Sequence, residues 1–128
     1  MRGFVFIGFL LALLLCLSGC ATGISREDLL KEMQDGNAPL IVDVRSEREY
    51  ERDHVPGAVH ISFLSISSGL KGMSTQPGEQ IVVYCEHGPR AGLAFWSLYL
   101  SGYRNVYSLE GHMKGWRENQ FPIEVISR

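Results

Sequence analysis

Residues 80–102 read QIVVYCEHGPRAGLAFWSLYLSG, and the fold is predicted outward from this stretch. Its first part, 80–84, is a continuous apolar run rich in β-branched residues, which predicts a strand buried on both faces. Its last part predicts a helix over 90–101, because apolar residues recur on one helical face and Gly102 can end the helix. Cys85 therefore lies at the carboxyl end of a buried strand, in a short glycine-containing loop that leads into a helix.

This position has a chemical consequence for the Cys85 thiol. Loop amides and the positive end of the following helix can stabilise a thiolate, and so can the guanidinium of Arg90. The pKa of Cys85 is therefore expected to lie below the free value of about 8.5. A thiolate in such an anion-binding loop suits two electrophiles, a phosphoryl group or a sulfane sulfur. The alternative is that Cys85 is a small buried residue without chemical function.

Strands and helices alternate through the rest of the body. The sequence predicts a helix that starts after Ser25 and ends at 35–37, and further helices over 46–52 and 112–119. It predicts strands over 40–44, 58–61 and 106–107. The Ser- and Gly-rich segment 62–78 is predicted to be a loop with room for one helical turn. This alternation predicts a single α/β domain with a mainly parallel sheet.

The composition excludes several classes of protein. A chain of 128 residues is too short for a second large core. The net charge is −2, so there is no basic excess to bind nucleic acid as a partner. Of the three cysteines only Cys85 lies in the body, which rules out a disulfide framework. The four histidines and Cys85 show no metal-ligand spacing, so no metal is expected.

The amino-terminal leader, 1–19, is interpreted as a signal peptide. Residues 3–17 carry no charge, and this run is shorter than the roughly 20 residues that span a bilayer. The segment Leu17-Ser18-Gly19-Cys20 resembles the lipobox of bacterial lipoproteins. That resemblance implies cleavage before Cys20, lipidation of Cys20 and a tether over 20–24.

We therefore expect a lipid-anchored protein of the cell envelope. Ala21, by resemblance to Gram-negative lipoproteins, favours the outer membrane, with the domain facing the periplasm. A plain secretory signal or an uncleaved signal anchor is the alternative.

The spacing in the cysteine loop distinguishes between the two electrophiles. Four residues separate Cys85 from Arg90, whereas the cysteine phosphatases place five residues there and enclose a tetrahedral phosphate. The shorter loop resembles that of single-domain rhodanese sulfurtransferases. Three further parts of residues 25–128 resemble the same family, namely 41–58, 102–111 and 115–123.

The resemblance implies a rhodanese-like α/β fold, with a small, mainly parallel sheet flanked by helices on both faces. It implies that Cys85 takes a sulfane sulfur from thiosulfate or a persulfide donor and passes it to cyanide or a thiol, a protein thiol included. No metal or organic cofactor is required. Substrate binding is assigned to Glu86, His87, Gly88, Pro89 and Arg90. A structural role is assigned to Asp43, Arg45, Glu49 and His54, with a catalytic role for Asp43, Arg45 and Glu49 as the alternative.

Three residues depart from the family pattern. Pro89 has no N–H, so the loop has one donor fewer. Glu86 puts an acid beside the nucleophile, which should weaken the attraction for a dianion. His112 replaces the second glycine of the closing motif. Two rival functions stay open: a cysteine phosphatase or arsenate-reductase-like enzyme, and a non-enzymatic persulfide carrier or binding module.

Overall fold

The structure, a computed structural model, describes residues 22–127. Within these residues the strands are β1 (Gly23–Ile24), β2 (Leu40–Asp43), β3 (Val59–His60), β4 (Ile81–Tyr84) and β5 (Val106–Leu109). They form one sheet in the order β1-β5-β4-β2-β3, and each pair of neighbours is parallel. The prediction of a mainly parallel sheet is confirmed.

Helices cover both faces of this sheet. They are α1 (Arg26–Gln34), α2 (Glu47–Arg52), α3 (Ile66–Gly72), α4 (Pro89–Leu100) and α5 (His112–Glu118). One apolar cluster contains Leu70 of α3 and Leu98 of α4, and a second contains Leu29 of α1 and Trp116 of α5. Successive residues of β4 alternate between the two clusters, so this strand is buried on both faces as predicted. The predicted α/β architecture is confirmed.

Two helix starts follow from local sequence. The Asp28 N–H donates to Ser25 Oγ at 3.0 Å, which caps α1. Ser46 and Glu49 form a reciprocal capping box at the start of α2. Each cap satisfies backbone amides that have no partner inside the helix. Helix α1 begins where the sequence predicts, and α2 begins one residue later than predicted.

The prediction of a loop over 62–78 is wrong for α3. Ile66 and Leu70 lie one helical turn apart and are both buried in the cluster that contains α4. Gly69 allows close packing against the chain after β3, since a β-carbon there would lie 2.6 Å from Ile61 Cγ2. Burial of these apolar side chains outweighs the low helix propensity of the serines and glycines.

The last residues of the segment predicted to be a tether, 20–24, form the edge strand β1 of the sheet. Gly23–Ile24 pairs with β5, and the Ser108 N–H donates to the Thr22 carbonyl at 3.0 Å. The leader and Cys20, the predicted lipidation site, lie outside the described residues. Within residues 22–127 no helix has the length and apolar character needed to cross a membrane.

The strand order brings three loops together. β4 lies between β5 and β2, and the three strands are parallel, so their carboxyl ends meet at one edge of the sheet. The chain continues from β4 into Cys85, from β2 towards Arg45 and from β5 towards His112. Open α/β sheets bind ligands at this edge.

Candidate active site

Cys85 directly follows the central strand β4 and is 0% exposed. The chain then turns so that the Gly88 N–H donates to Cys85 Sγ at 3.0 Å. Gly88 has a φ of +139°, a conformation that residues with a side chain rarely adopt. Glycine at this position therefore allows a loop amide to reach the sulfur.

Pro89 is the first residue of α4, which begins one residue earlier than predicted. Proline fits there because the first amides of a helix have no partner within it, and its φ suits a helix start. The amides that bind the sulfur are those of Gly88 and Ala91, on either side of the Pro89–Arg90 pair. The missing N–H of Pro89 therefore leaves both sulfur donors in place.

The pKa of the Cys85 thiol is lowered from 9.0 to about 7. Burial acts in the opposite direction, because it disfavours the charged thiolate. The His112 side chain and hydrogen bonds from the amides of Ala91 and Gly88 lower the pKa and together outweigh burial. A large fraction of the thiol is therefore thiolate at neutral pH, which is the nucleophilic form.

We expect the rate of Cys85 alkylation by iodoacetamide to rise with pH and to reach half its maximum near pH 7. The thiolate reacts, so the rate increases as the proton is lost and levels off above the pKa. For an unperturbed cysteine, the alkylation rate reaches half its maximum at about pH 8.5. Peptide mass spectrometry after timed alkylation measures the rate at this residue, and a midpoint at or above that of a free cysteine contradicts the stabilised thiolate.

Arg45, which follows β2, binds three acidic residues. Its Nη2 lies 2.8 Å from Asp43 Oδ2, and its Nη1 lies 3.4 Å from Asp53 Oδ1 and 3.2 Å from Glu86 Oε1. The side chains of Arg45 and Asp43 are both 0% exposed. Burial acts to lower the pKa of Arg45, but the hydrogen bond and the charge of Asp43 raise it above its ordinary value. Arg45 therefore stays charged and ties β2 to the cysteine loop through Glu86.

Glu86, the residue after Cys85, forms ion pairs with two arginines. Arg117 of α5 donates to Glu86 Oε2 at 2.9 Å and to Asp53 Oδ2 at the same distance, and Arg45 supplies the other contact. The hydrogen bond from Arg117 is the main cause that lowers the pKa of Glu86. Glu86 is thus an ionised link between the cysteine loop and α5.

Arg90 forms an ion pair with Glu49 of α2. Its Nη1 lies 2.7 Å from Glu49 Oε1 and its Nη2 lies 3.1 Å from Oε2, a bidentate arrangement. The hydrogen bond from Arg90 lowers the pKa of Glu49 to about 2. Glu49 is also the main cause that raises the pKa of Arg90, to which the Cys85 thiolate contributes less. The charge of Arg90 is therefore balanced mainly by the Glu49 carboxylate.

The two remaining predicted residues, His54 and His87, differ in burial. His54 is 3% exposed, its ring stacks on Tyr50 at 3.9 Å, and its Nε2 lies 3.3 Å from Glu124 Oε2. Backbone hydrogen bonds between His54 and Glu124 complete this contact, which holds the carboxyl-terminal segment beside α2. His87 is exposed in the cysteine loop.

Two residues of the site, His112 and Arg117, are not among those predicted to act there. The Cys85 N–H donates to His112 Nδ1 at 3.3 Å, and Arg117 binds Glu86 as described above. The available signal for His112 was its place in a glycine position of the closing motif, and its φ is indeed positive, +52°. Nothing in the sequence marks Arg117 as a residue of the site, because an arginine on a short helix is usually a solvent-exposed surface residue.

A cavity of about 460 Å³ lies beside α1, lined among others by Asp28, Lys31 and Glu32. It also includes Gln80, which precedes β4, so it lies towards the opposite end of that strand from Cys85. Residues 22–127 contain no group of three or more possible metal ligands of the His, Cys, Asp and Glu types. The arrangement with clear chemical capacity is therefore the Cys85 thiol with its amide donors and the surrounding ion pairs.

Residues 25–119 match the family model described as "Rhodanese-like domain". The Alr3790 protein from Anabaena sp. superposes with a TM-score of 0.75 at 23% identity, over 82% of this chain and 94% of that one. A rhodanese-related protein from Thermoplasma volcanium gives 0.68 at 23% identity, over 81% and 98%. The thiosulfate sulfurtransferase from Pseudomonas aeruginosa gives 0.76 at 20% identity, over 82% of this chain but 20% of that one. The solved structures support the fold.

Proposed function

The chain belongs to the rhodanese-like domain family, and on this premise we propose that it is a sulfurtransferase that works through a persulfide on Cys85. The proposal depends above all on one observation: a thiolate-stabilising loop at the carboxyl end of the central strand. There the Gly88 amide lies 3.0 Å from Sγ, and the pKa of Cys85 is about 7. A cysteine that only fills space has no need of either feature.

The proposed cycle has two displacement steps. The Cys85 thiolate attacks the outer sulfur of a donor persulfide, the donor S–S bond breaks, and its electron pair leaves with the donor thiolate. An acceptor thiolate then attacks the outer sulfur of the Cys85 persulfide, and the electron pair of that S–S bond returns to Cys85. Each step exchanges one S–S bond for another, so the cycle needs no external oxidant or reductant.

The charges around the loop favour a donor of low charge. The three arginines, Arg45, Arg90 and Arg117, are each paired with carboxylates. Their partners are four carboxylates, those of Asp43, Asp53, Glu49 and Glu86. Three positive and four negative charges leave this network with one net negative charge. A dianion such as thiosulfate therefore gains little attraction here, whereas a neutral or singly charged persulfide meets no such penalty.

Access to the sulfur requires a small movement of the cysteine loop. Cys85 is 0% exposed, while the neighbouring residues His87 and Pro89 are exposed. We propose that residues 86–88 shift to admit the donor, and that the amides of Gly88 and Ala91 then hold the anionic persulfide.

The proposed acceptor is a thiol of another molecule, small or protein. If Cys16 is removed with the leader and Cys20 carries lipid, Cys85 is the remaining free thiol of the chain. A persulfide on Cys85 then has no thiol of the same chain to discharge it.

We also propose that the domain lies at the cell envelope, anchored through Cys20 to the outer membrane on its periplasmic side.

The test is the intact mass of the full chain after exposure to glutathione persulfide or to thiosulfate. We expect a gain of one sulfur atom on Cys85, faster with the persulfide, and its loss on addition of cyanide or a thiol. A Cys85→Ser variant is the matched control, because the other two cysteines are unchanged and any adduct on them persists.

Two results would overturn the proposal. The first is the absence of a Cys85-dependent adduct with either donor. The second is Cys85-dependent hydrolysis of an aryl phosphate without sulfur uptake, which would indicate a phosphatase. A stable adduct that no small thiol removes would instead indicate a persulfide carrier that needs a specific partner, and would contradict turnover with small acceptors.

A further inference from the structure

His112 occupies a position where its backbone is strained. It follows Gly111 and is the first residue of α5, with a φ of +52°. This left-handed region suits glycine and disfavours residues with a β-carbon. A strained residue beside a nucleophile suggests that its side chain contributes something that glycine does not.

The backbone fixes α5 against the cysteine loop. The Met113 N–H donates to the Cys85 carbonyl at 2.9 Å, and the Lys114 N–H donates to the Glu86 carbonyl at 3.2 Å. These bonds join the residues that follow β5 and β4, two neighbouring strands of the sheet. The imidazole of His112 is therefore held at a set position relative to the sulfur.

The contacts of the ring also determine where its proton lies. The Cys85 N–H donates to Nδ1 at 3.3 Å, so Nδ1 is the acceptor and the neutral ring carries its hydrogen on Nε2. Nε2 faces the loop at Gly88, since a β-carbon on Gly88 would lie 3.3 Å from it. The amide of that same glycine lies 3.0 Å from Sγ. The donor side of the ring therefore faces the turn that holds the sulfur.

We infer that His112 is a further catalytic residue of the sulfur site, whose ring donates a hydrogen bond to the Cys85 sulfur and stabilises the thiolate. In the resting protein this favours the ionised form of the nucleophile. In the second step, which rests on the proposed function, the breaking S–S bond leaves its electron pair on Cys85, and the same hydrogen bond stabilises that leaving thiolate. The lowered pKa of Cys85, to which His112 contributes more than the amide donors, supports this role.

Other charged groups near the ring do not replace this contribution. Arg90 is paired with Glu49, and Glu86 is paired with Arg45 and Arg117. Arg26 of α1 approaches the start of α5 on the Gly111 side, and Lys114 of α5 lies 3.9 Å from Glu118. His87 is an exposed loop residue that all variants below retain, so a difference between variants reports on His112.

The test compares His112→Gly with Gln120→Gly in the full chain. Both positions have a positive φ, +52° and +58°, so glycine relieves backbone strain at both, while His112→Gly also loses the hydrogen bond from the Cys85 N–H. The thermal unfolding midpoint of each variant checks that it is folded. Only His112→Gly should move the midpoint of the alkylation–pH profile, upward by about one pH unit or more, which lowers the rate at pH 7 about five-fold. His112→Asn, which tolerates a positive φ and keeps an N–H donor, should restore part of the rate.

The inference is overturned if His112→Gly leaves the alkylation–pH midpoint unchanged. It is also overturned if Gln120→Gly moves that midpoint equally, because the shift would then follow from backbone relief alone. Alkylation needs no sulfur donor, so this result stands whether or not the proposed sulfurtransferase activity is found. Where activity is found, transfer from the Cys85 persulfide to a thiol should fall about ten-fold in His112→Gly.

Discussion

Sulfur transfer is expected to fall by about four orders of magnitude or more in a Cys85→Ser variant, as is typical when a covalent nucleophile is removed. Serine can still accept the Gly88 hydrogen bond that the sulfur now accepts at 3.0 Å. Its hydroxyl stays protonated near neutral pH, however, and forms no persulfide. The measurement is the steady-state rate of thiol persulfide formation, with the donor in excess.

The thermal unfolding midpoint of the same variant is the control. Serine is close to cysteine in size, so we expect a modest change in stability of about 1 kcal/mol, the cost of burying a hydroxyl with one partner. A folded variant that keeps more than about one part in a hundred of the activity would mean that another group is the nucleophile. A variant that does not fold would be replaced by alkylation of the wild-type thiol, which should abolish transfer equally.

An Arg45→Met variant is expected to lose about 3–5 kcal/mol of the free energy of unfolding, because it leaves a buried charge without its ion-pair partner. Asp43 is that charge: its side chain is 0% exposed and lies 2.8 Å from Arg45 Nη2. Asp53 and Glu86 also lose a contact, but both keep Arg117. Urea unfolding monitored by tryptophan fluorescence measures the loss.

The matched control for this prediction is Lys114→Gln. It breaks the ion pair with Glu118, whose two side chains are 55% and 63% exposed, and should change stability by about 0.5 kcal/mol or less. The double variant Arg45→Met with Asp43→Asn should recover part of the stability, since no buried carboxylate then remains unpaired at that position. An Arg45→Met variant as stable as Lys114→Gln would show that the buried pair contributes nothing.

Much of the fold was predictable from residues close together in the sequence. The continuous apolar run before Cys85 predicted a strand buried on both faces, and the cap at Ser25 predicted the start of α1, because both signals depend on neighbours within one or two turns. The helix α3 was not predicted. Ser and Gly dominate its composition, and only its tertiary neighbours reveal that Ile66 and Leu70 are buried.

Only the tertiary structure shows what Glu86 and Pro89, two departures from the family pattern, do to the cysteine loop. In the sequence, Glu86 is an acid beside Cys85 with no visible partner, yet in the structure it is paired with Arg117 of α5 and with Arg45, which follows β2. Pro89 reads as a lost donor, yet as the first residue of α4 it leaves the Gly88 and Ala91 amides free to bind the sulfur. For Glu86 the deciding partners lie outside the loop, and for Pro89 the deciding fact is where the helix begins and which amides bind the sulfur.

The sequence by itself determined the local chemistry of this protein: a cysteine at the end of a buried strand, a glycine that lets an amide reach the sulfur, and a helix that starts directly afterwards. The tertiary structure decided which groups surround that cysteine. His112 is 27 residues away, Arg117 is 31 residues from Glu86, and Glu49 is 41 residues from Arg90. They meet because the order β5-β4-β2 brings the carboxyl ends of parallel strands to one edge, and strand order arises from long-range packing that local patterns do not specify.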